Sequence, residues 1–171
     1  MENVKVINVM RSMRAPNILD LEGLHRKLGG KLFRGRPEML LLRMSNGRNV
    51  QLFRRGTIQI LGSLTQNEAE GMRSELLHRL QMPNLSPLVI SNMVISAQLQ
   101  TKQCLHKISQ TNGDFFYEVE LFPAALIHKW RPAHVAVFHN GKVIITGVKT
   151  LDACKELFSL LNSYLNEIRI E

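Results

Sequence analysis

Phe53, Gly56 and Gly62 return 85 residues later as Phe138, Gly141 and Gly147, and Asn8 returns as Asn92 after 84. So steady an offset means that one unit is written twice, and the fold must repeat with it. Each copy reads strand, helix, strands, helix. Val4–Met13 and Leu88–Leu99 are the opening strands. Leu19-Asp20-Leu21 starts a helix that runs to about Leu28, and a shorter segment near Lys102–Ile108 takes its place in the second copy. Met39–Met44 and Ala124–Trp130 are apolar strand candidates. Asn49–Phe53, the turn Arg54-Arg55-Gly56 and Thr57–Gly62 answer to His134–Phe138, His139-Asn140-Gly141 and Lys142–Gly147. A closing helix follows each time. In Thr65–Leu80, Thr65 is the N-cap with Glu68 three residues on, a capping-box pattern. In the other, about Leu151–Leu165, the residues Ala153, Leu157, Leu160, Leu161 and Tyr164 share a face at helical spacing. Pro83–Pro87 is the expected joint, giving copies over 1–85 and 86–171. Neither copy can cover its own sheet. The two are expected to combine into one antiparallel sheet with helices on one side, an α+β fold.

The second hairpin shows how that sheet is faced. An Asn-Gly pair between two apolar runs, here Asn140-Gly141, is a strong short-range hairpin signal. Alternation with period two puts Ala136, Phe138, Ile144 and Thr146 on one face, and Val135, Val137, Val143 and Ile145 on the other. Both faces are largely apolar, yet the first carries a hydroxyl and a Phe. Two readings fit this pattern. One is a sheet buried on both sides; the other is a sheet with helices behind it and an apolar surface in front that grips something.

Charge narrows the partner. The net charge is +8 and the pI is near 9.9, a balance that suits a polyanion. Residues 1–87 hold 14 Lys and Arg against 7 Asp and Glu, whereas residues 88–171 hold 8 against 7. The excess is mostly arginine within Arg26–Arg55, so an acidic partner is expected on the first copy. No apolar run approaches the roughly 18 residues that span a bilayer, and the N-terminus lacks the apolar stretch of a secretory signal. No membrane role is expected. Cys104 and Cys154 are too few and too far apart for a zinc site or a disulfide framework. Both are expected to be small buried filler in a reducing, intracellular compartment. The histidines at 25, 78, 106, 128, 134 and 139 show no metal-ligand spacing with Cys or Asp. There is no glycine-rich phosphate loop and no G-x-S-x-G elbow. Asp114, Glu118 and Glu120 could form an acid–base pair, but no substrate pocket is signalled beside them. No metal, cofactor or catalysis is expected.

The segments YEVELFPAALI (from Tyr117) and FHNGKVIITGVK (from Phe138) resemble the second repeat of the TATA-box-binding protein family, which reads approximately YEPELFPGLIY and IFxSGKxxxTGAK. Ser91-Asn92-Met93-Val94 is similar to the family's QNxVGS strand. The resemblance covers roughly Val89–Lys149 and is weaker in the first copy, the pattern of a divergent, TBP-related member. It implies a saddle: two pseudo-symmetric repeats in one curved ten-stranded sheet, helices on the convex side, and a concave underside on the minor groove of A·T-rich double-stranded DNA. It also implies a nuclear setting. In the family, four Phe side chains wedge into base steps, an apolar floor fills the groove, and Asn and Thr groups read its acceptor edge.

Carried over by residue, the resemblance makes Phe122 and Phe138 wedges, Asn92 and Thr146 polar readers, and Val94, Ala136 and Ile144 groove-filling groups. Lys142 and Lys149 would meet phosphates. His128 stands where the family has Arg, which weakens one phosphate contact at neutral pH. In the first copy Asn8 and Phe53 match a reader and a wedge. The other wedge position falls on Pro37, or on Arg36 if the alignment slips by one. Leu61 stands in place of Thr146, Gln51 and Gln59 in place of Ala136 and Ile144, and Met10 in place of a smaller branched residue. An amide facing a dry groove without a partner costs roughly 1–3 kcal/mol. Added arginines would compensate through salt-dependent phosphate contacts. Glu118, Glu120 and Leu121 match the family's contact for transcription factor IIB, with Val119 in place of Pro. A surface like that for transcription factor IIA would fall on the first copy, where Arg34, Arg36, Arg54 and Arg55 could serve another partner. Two functions follow. One is a factor that binds promoter DNA and recruits initiation factors, favoured by Phe122, Phe138, Asn92 and Thr146. The other is an adaptor that has given up bending DNA and scaffolds proteins, favoured by Gln51, Gln59, Leu61 and Pro37.

Overall fold

Two turns with the same bonds set up the fold. Gly56 N–H donates to the Phe53 carbonyl and Gly141 N–H to the Phe138 carbonyl, each at 2.9 Å. Both glycines hold left-handed φ values, 87° and 82°. A Cβ at Gly56 would lie 2.9 Å from the Asn17 carbonyl oxygen, and one at Gly141 2.7 Å from that of Thr101. Glycine is therefore required twice, for the same reason. Asn140 Oδ1 closes the second turn by accepting from Lys142 N at 3.0 Å.

The computed structural model describes residues 4–62, 65–111 and 113–170. The first run of elements is β1 (Lys5–Arg14), α1 (Leu21–Leu28), β2 (Lys31–Phe33), β3 (Met39–Arg43), β4 (Asn49–Phe53), β5 (Thr57–Ile60) and α2 (Gln66–Leu80). The second is β6 (Val89–Gln98), α3 (Leu105–Thr111), β7 (Phe115–Phe116), β8 (Ala124–Ile127), β9 (His134–Phe138), β10 (Lys142–Val148) and α4 (Leu151–Ile170). The strands form one ten-stranded antiparallel sheet in the order β2-β3-β4-β5-β1-β6-β10-β9-β8-β7. The element order of the first run recurs in the second, and the α+β class follows the sequence pattern. The chain divides into two compact units, Asn8–Ser91 and a second from Asn92 onward that includes the residues ahead of Asn8.

In the unit Asn8–Ser91, strand alternation builds the core. Leu40, Leu42, Val50, Leu52, Ile58 and Ile60 are fully buried and cluster with Leu21 of α1 and Met72, Leu76 and Leu80 of α2. Asp20 caps α1 by accepting from Gly23 N at 3.1 Å, and Thr65 caps α2 by accepting from Glu68 N at 3.1 Å. The 83–87 segment is tied down within this unit: Ser86 N donates to the Arg14 carbonyl at 2.9 Å, and Arg73 reaches the Leu85 carbonyl at 3.0 Å.

In the second unit, Ile95, Val135, Val137, Val143 and Ile145 are at most 1% exposed on the face where α4 packs against β10. α4 buries Cys154, Phe158, Leu161, Leu165 and Ile168; of the expected stripe Leu161 is buried, Ala153, Leu157 and Tyr164 are half-buried, and Leu160 is 55% exposed. Cys104 is exposed, contrary to expectation, and Cys154 is buried. Burial pushes the Cys154 thiol up to about 11, which keeps it protonated and inert. The strand expected over Ala124–Trp130 stops at Ile127.

Asp114 joins two elements of this unit. It accepts from Lys129 Nζ at 2.8 Å and from Tyr164 Oη at 2.7 Å. These two bonds hold its carboxyl below the usual carboxylate range. A carboxylate lowered by folding adds stability that is present above its unfolded value and is lost as pH falls through the folded one. Asp114→Asn is therefore expected to lower the neutral plateau of a melting-temperature profile and to flatten its acid limb below about pH 4. An unchanged acid limb would show that Asp114 is not a source of that slope.

Candidate functional site

The side of each unit turned away from its helices is the candidate surface. In the second unit Ala136, Phe138, Ile144 and Thr146 are half-buried there, while their strand neighbours are sealed on the other side. Register builds a row across four strands: Leu126 faces Ala136, Ala136 faces Ile144, and Ile144 faces Ser96. Leu126 and Ser96 escaped the sequence reading. Counting by twos from Asn92 and Val94 along β6 would have found Ser96.

Phe122 and Phe138 come together at one end of this row. Their ring centroids are 6.2 Å apart and tilted by 59°, within the range of favourable aromatic pairs. Phe122 is 43% exposed and Phe138 half-buried. Opposite Phe138 in register stands Ala124, whose small side chain leaves the ring room.

Asn92 and Thr146 also meet, 54 residues apart in sequence. Asn92 Nδ2 donates to Thr146 Oγ1 at 3.2 Å, and Asn92 Oδ1 accepts from Gly147 N at 2.8 Å. The second bond fixes the amide orientation and leaves one N–H of Asn92 uncommitted within the pair. It depends on a bulge: pairing with β6 slips between Thr146 and Val148, with Gly147 at a φ of 84°. The slip buries Val148 and leaves Lys149 exposed beyond the strand. Val94 stands opposite Thr146 and is half-buried. Lys142 is exposed at the start of β10. His128 and His134, both exposed, pack edge-on at 5.8 Å, with His134 opposite Thr146.

The matching surface of the unit Asn8–Ser91 has the same row with different chemistry. Leu41 faces Gln51, Gln51 faces Gln59, and Gln59 faces Ser12. Leu61 follows β5, its N–H bonded to the Asn49 carbonyl at 3.1 Å. Asn8 is exposed near Gly62, and no fixing bond like that of Asn92 is seen among the described residues. Phe53 is half-buried opposite Met39. Where a second ring would pair with it lies an open cleft of ≈ 650 Å³, lined by Pro37, Arg36, Phe53, Arg54, Arg55 and Gln59 among others.

The arginines here are not all available. Arg54 binds Glu38 at 2.6 Å and Arg34 binds Glu22 at 2.8 Å. The bond from Arg54 holds the Glu38 carboxyl below its usual range, against a smaller desolvation effect. Arg36 and Arg55 are exposed with no carboxylate within 4 Å among the described residues. The free positive charge on this cleft thus belongs to Arg36 and Arg55, two of the three arginines that line it.

Glu118, Glu120 and Leu121 project from the turn before β8, with Leu121 77% exposed. Backbone bonds shape that turn: Leu121 N and Phe122 N both donate to the Glu118 carbonyl at 3.0 Å. Among the described residues no group of three or more His, Cys, Asp or Glu could hold a metal ion, and no helix is long and apolar enough to cross a membrane.

Residues 87–168 match the family described as Transcription factor TFIID (or TATA-binding protein, TBP). The TATA-box-binding protein of Methanococcus vannielii is 28% identical over 178 residues, spanning 98% of this chain and 97% of its own. The TBP-related factor of Drosophila melanogaster is 27% identical over 177 residues, spanning 94% of this chain and 77% of its own. The solved structure of Methanococcus jannaschii TBP superposes with a TM-score of 0.77 at 26% identity, over 96% of this chain and 98% of that one.

Proposed function

The chain belongs to the TATA-box-binding protein family of transcription factors, and from that premise we propose that it binds the minor groove of A·T-rich promoter DNA and recruits initiation factors there. The observation that carries this reading is the Phe122–Phe138 pair, partly exposed at the end of a half-buried apolar row. Such rings act as wedges between base steps. Unstacking costs a few kcal/mol per step and is offset by the wider contact that a bent duplex allows. Ala136, Ile144 and Val94 then fill the floor. The free N–H of Asn92 and the hydroxyl of Thr146 face the N3 and O2 acceptors that A·T pairs present. Lys142 and Lys149 neutralise flanking phosphates, as Asn8 and Phe53 serve the other half-site. In a eukaryotic cell this activity is nuclear.

Fluorescence energy transfer between dyes at the two ends of an A·T-rich duplex tests the reading. Transfer is expected to rise with added protein; a duplex that stays straight at saturation overturns it. That outcome would favour the adaptor, which Gln51, Gln59, Leu61 and the Pro37 cleft support.

Glu118, Glu120 and Leu121 are proposed to hold a factor resembling transcription factor IIB. The turn rests on backbone bonds, so charge reversal is not expected to unfold it. Glu118→Arg/Glu120→Arg is expected to abolish capture of that factor with an unchanged melting temperature. Undiminished capture removes the assignment. A transcription factor IIA-like or other acidic partner is proposed for the unit Asn8–Ser91, with Arg36 and Arg55 as its contacts.

A further inference from the structure

The paired amides of Gln51 and Gln59 have a chemistry that their counterparts lack. They occupy the register positions that Ala136 and Ile144 hold in the second unit, between the same flanking types: Leu41 and Ser12 here, Leu126 and Ser96 there. Both are half-buried on the open face, and neither amide makes a hydrogen bond to any described residue. Asn49, half-buried on the same face, adds a third amide two residues from Gln51. Gln59 also lines the cleft beside Pro37.

In the minor groove A·T pairs offer only acceptors, whereas a G·C pair adds one donor, the guanine N2 amino group. An apolar floor excludes guanine, because the buried amino group would be left without an acceptor. A glutamine pair removes that exclusion. Its Oε1 accepts from the guanine amino group while its Nε2 donates to the neighbouring O2 or N3 acceptor. Length matters as well. With Pro37 in place of a second wedge, this half of the groove is opened less, and Gln reaches deeper than Ala into a groove that stays narrow.

We infer that Gln51 and Gln59 make the unit Asn8–Ser91 a reader of G·C-containing minor groove, so that the preferred duplex is A·T-rich in one half and accepts guanine in the other. This rests on the minor-groove reading above and goes beyond it by assigning base preference to two named residues.

Inosine isolates the group in question, since an I·C pair lacks only the N2 amino group of G·C. The probes are two duplexes, A·T in one half and either G·C or I·C in the other, with anisotropy measured for wild type and for Gln51→Ala/Gln59→Ile. Wild type is expected to bind the G·C duplex at least as tightly as the I·C duplex. The variant is expected to prefer I·C by roughly tenfold, the usual scale of one misread base pair. The ratio is taken within one protein preparation, so a reduced active fraction cancels. Should wild type reject guanine as strongly as the variant does, or the variant accept it as wild type does, the inference is wrong. If neither protein binds even the I·C duplex, the minor-groove reading itself falls and takes this inference with it.

Discussion

Phe122→Ala/Phe138→Ala is expected to leave an A·T-rich duplex unbent and to weaken binding by at least about 30-fold. The estimate assigns roughly 1–3 kcal/mol to each aromatic group stacked on a base. The pair suits such a test because it contributes little to the core. Phe122 is 43% exposed, Phe138 is half-buried, and the sealed residues of β9 and β10 lie on the opposite face. The melting temperature should therefore fall by only a few degrees. End-to-end dye distance and anisotropy read bending and affinity separately. A variant that still bends the duplex would show that the wedges lie elsewhere, with Phe116 as the nearest alternative at 50% exposure.

Ile144 and Ile145 provide the second large contrast, because adjacent residues on one strand meet opposite environments. Ile145 is fully buried between Ile95 and Val135 in register, on the side where α4 packs. Ile145→Ala is expected to cost about 2–5 kcal/mol, since the cavity it leaves is enclosed by strand neighbours that cannot collapse into it. Ile144 stands half-buried between Ala136 and Ser96. Ile144→Ala should cost about 1 kcal/mol or less in stability and act instead on DNA affinity. Urea unfolding of the two variants measures the difference. Equal destabilisation would mean that both faces of β10 are core, and the open-face assignment would have to be abandoned.

What could be read from the chain, and what could not, divides along physical lines. The β9–β10 hairpin was legible because Asn140-Gly141 and strict alternation are local signals; period two separates Val143 and Ile145 from Ile144, but with both faces apolar only the packing of α4 decides which one is sealed. The repeat was legible because the turn glycines serve the same backbone bond twice. β2 and β7 were not, since two or three residues are too few to show a period. The buried side of α4 was legible only in part: Leu161 is buried as expected, but Phe158 packs where its neighbour Leu157 is only half-buried and Leu160 is exposed, a rotation that packing decides. The pairing of Arg54 with Glu38 and of Arg34 with Glu22 depends on how loops fold back, so the arginine cluster looked freer in sequence than it is. The bond from Gly147 to Asn92 was equally hidden, because it depends on a bulge with no composition signal beyond the glycine.

The two strands that end the hydrogen-bonding order are the shortest in the sheet: β2 with three residues and β7 with two. A sheet edge is a natural template for another chain's strand, because every unpaired N–H and C=O along such a border invites addition. Here that border is almost absent. Lys31, its ammonium 4.9 Å from the Phe33 ring centre, adds a charge to one end. Truncated margins of this kind let each unit keep a half-buried face away from its helices while offering little backbone on which copies could stack into fibrils.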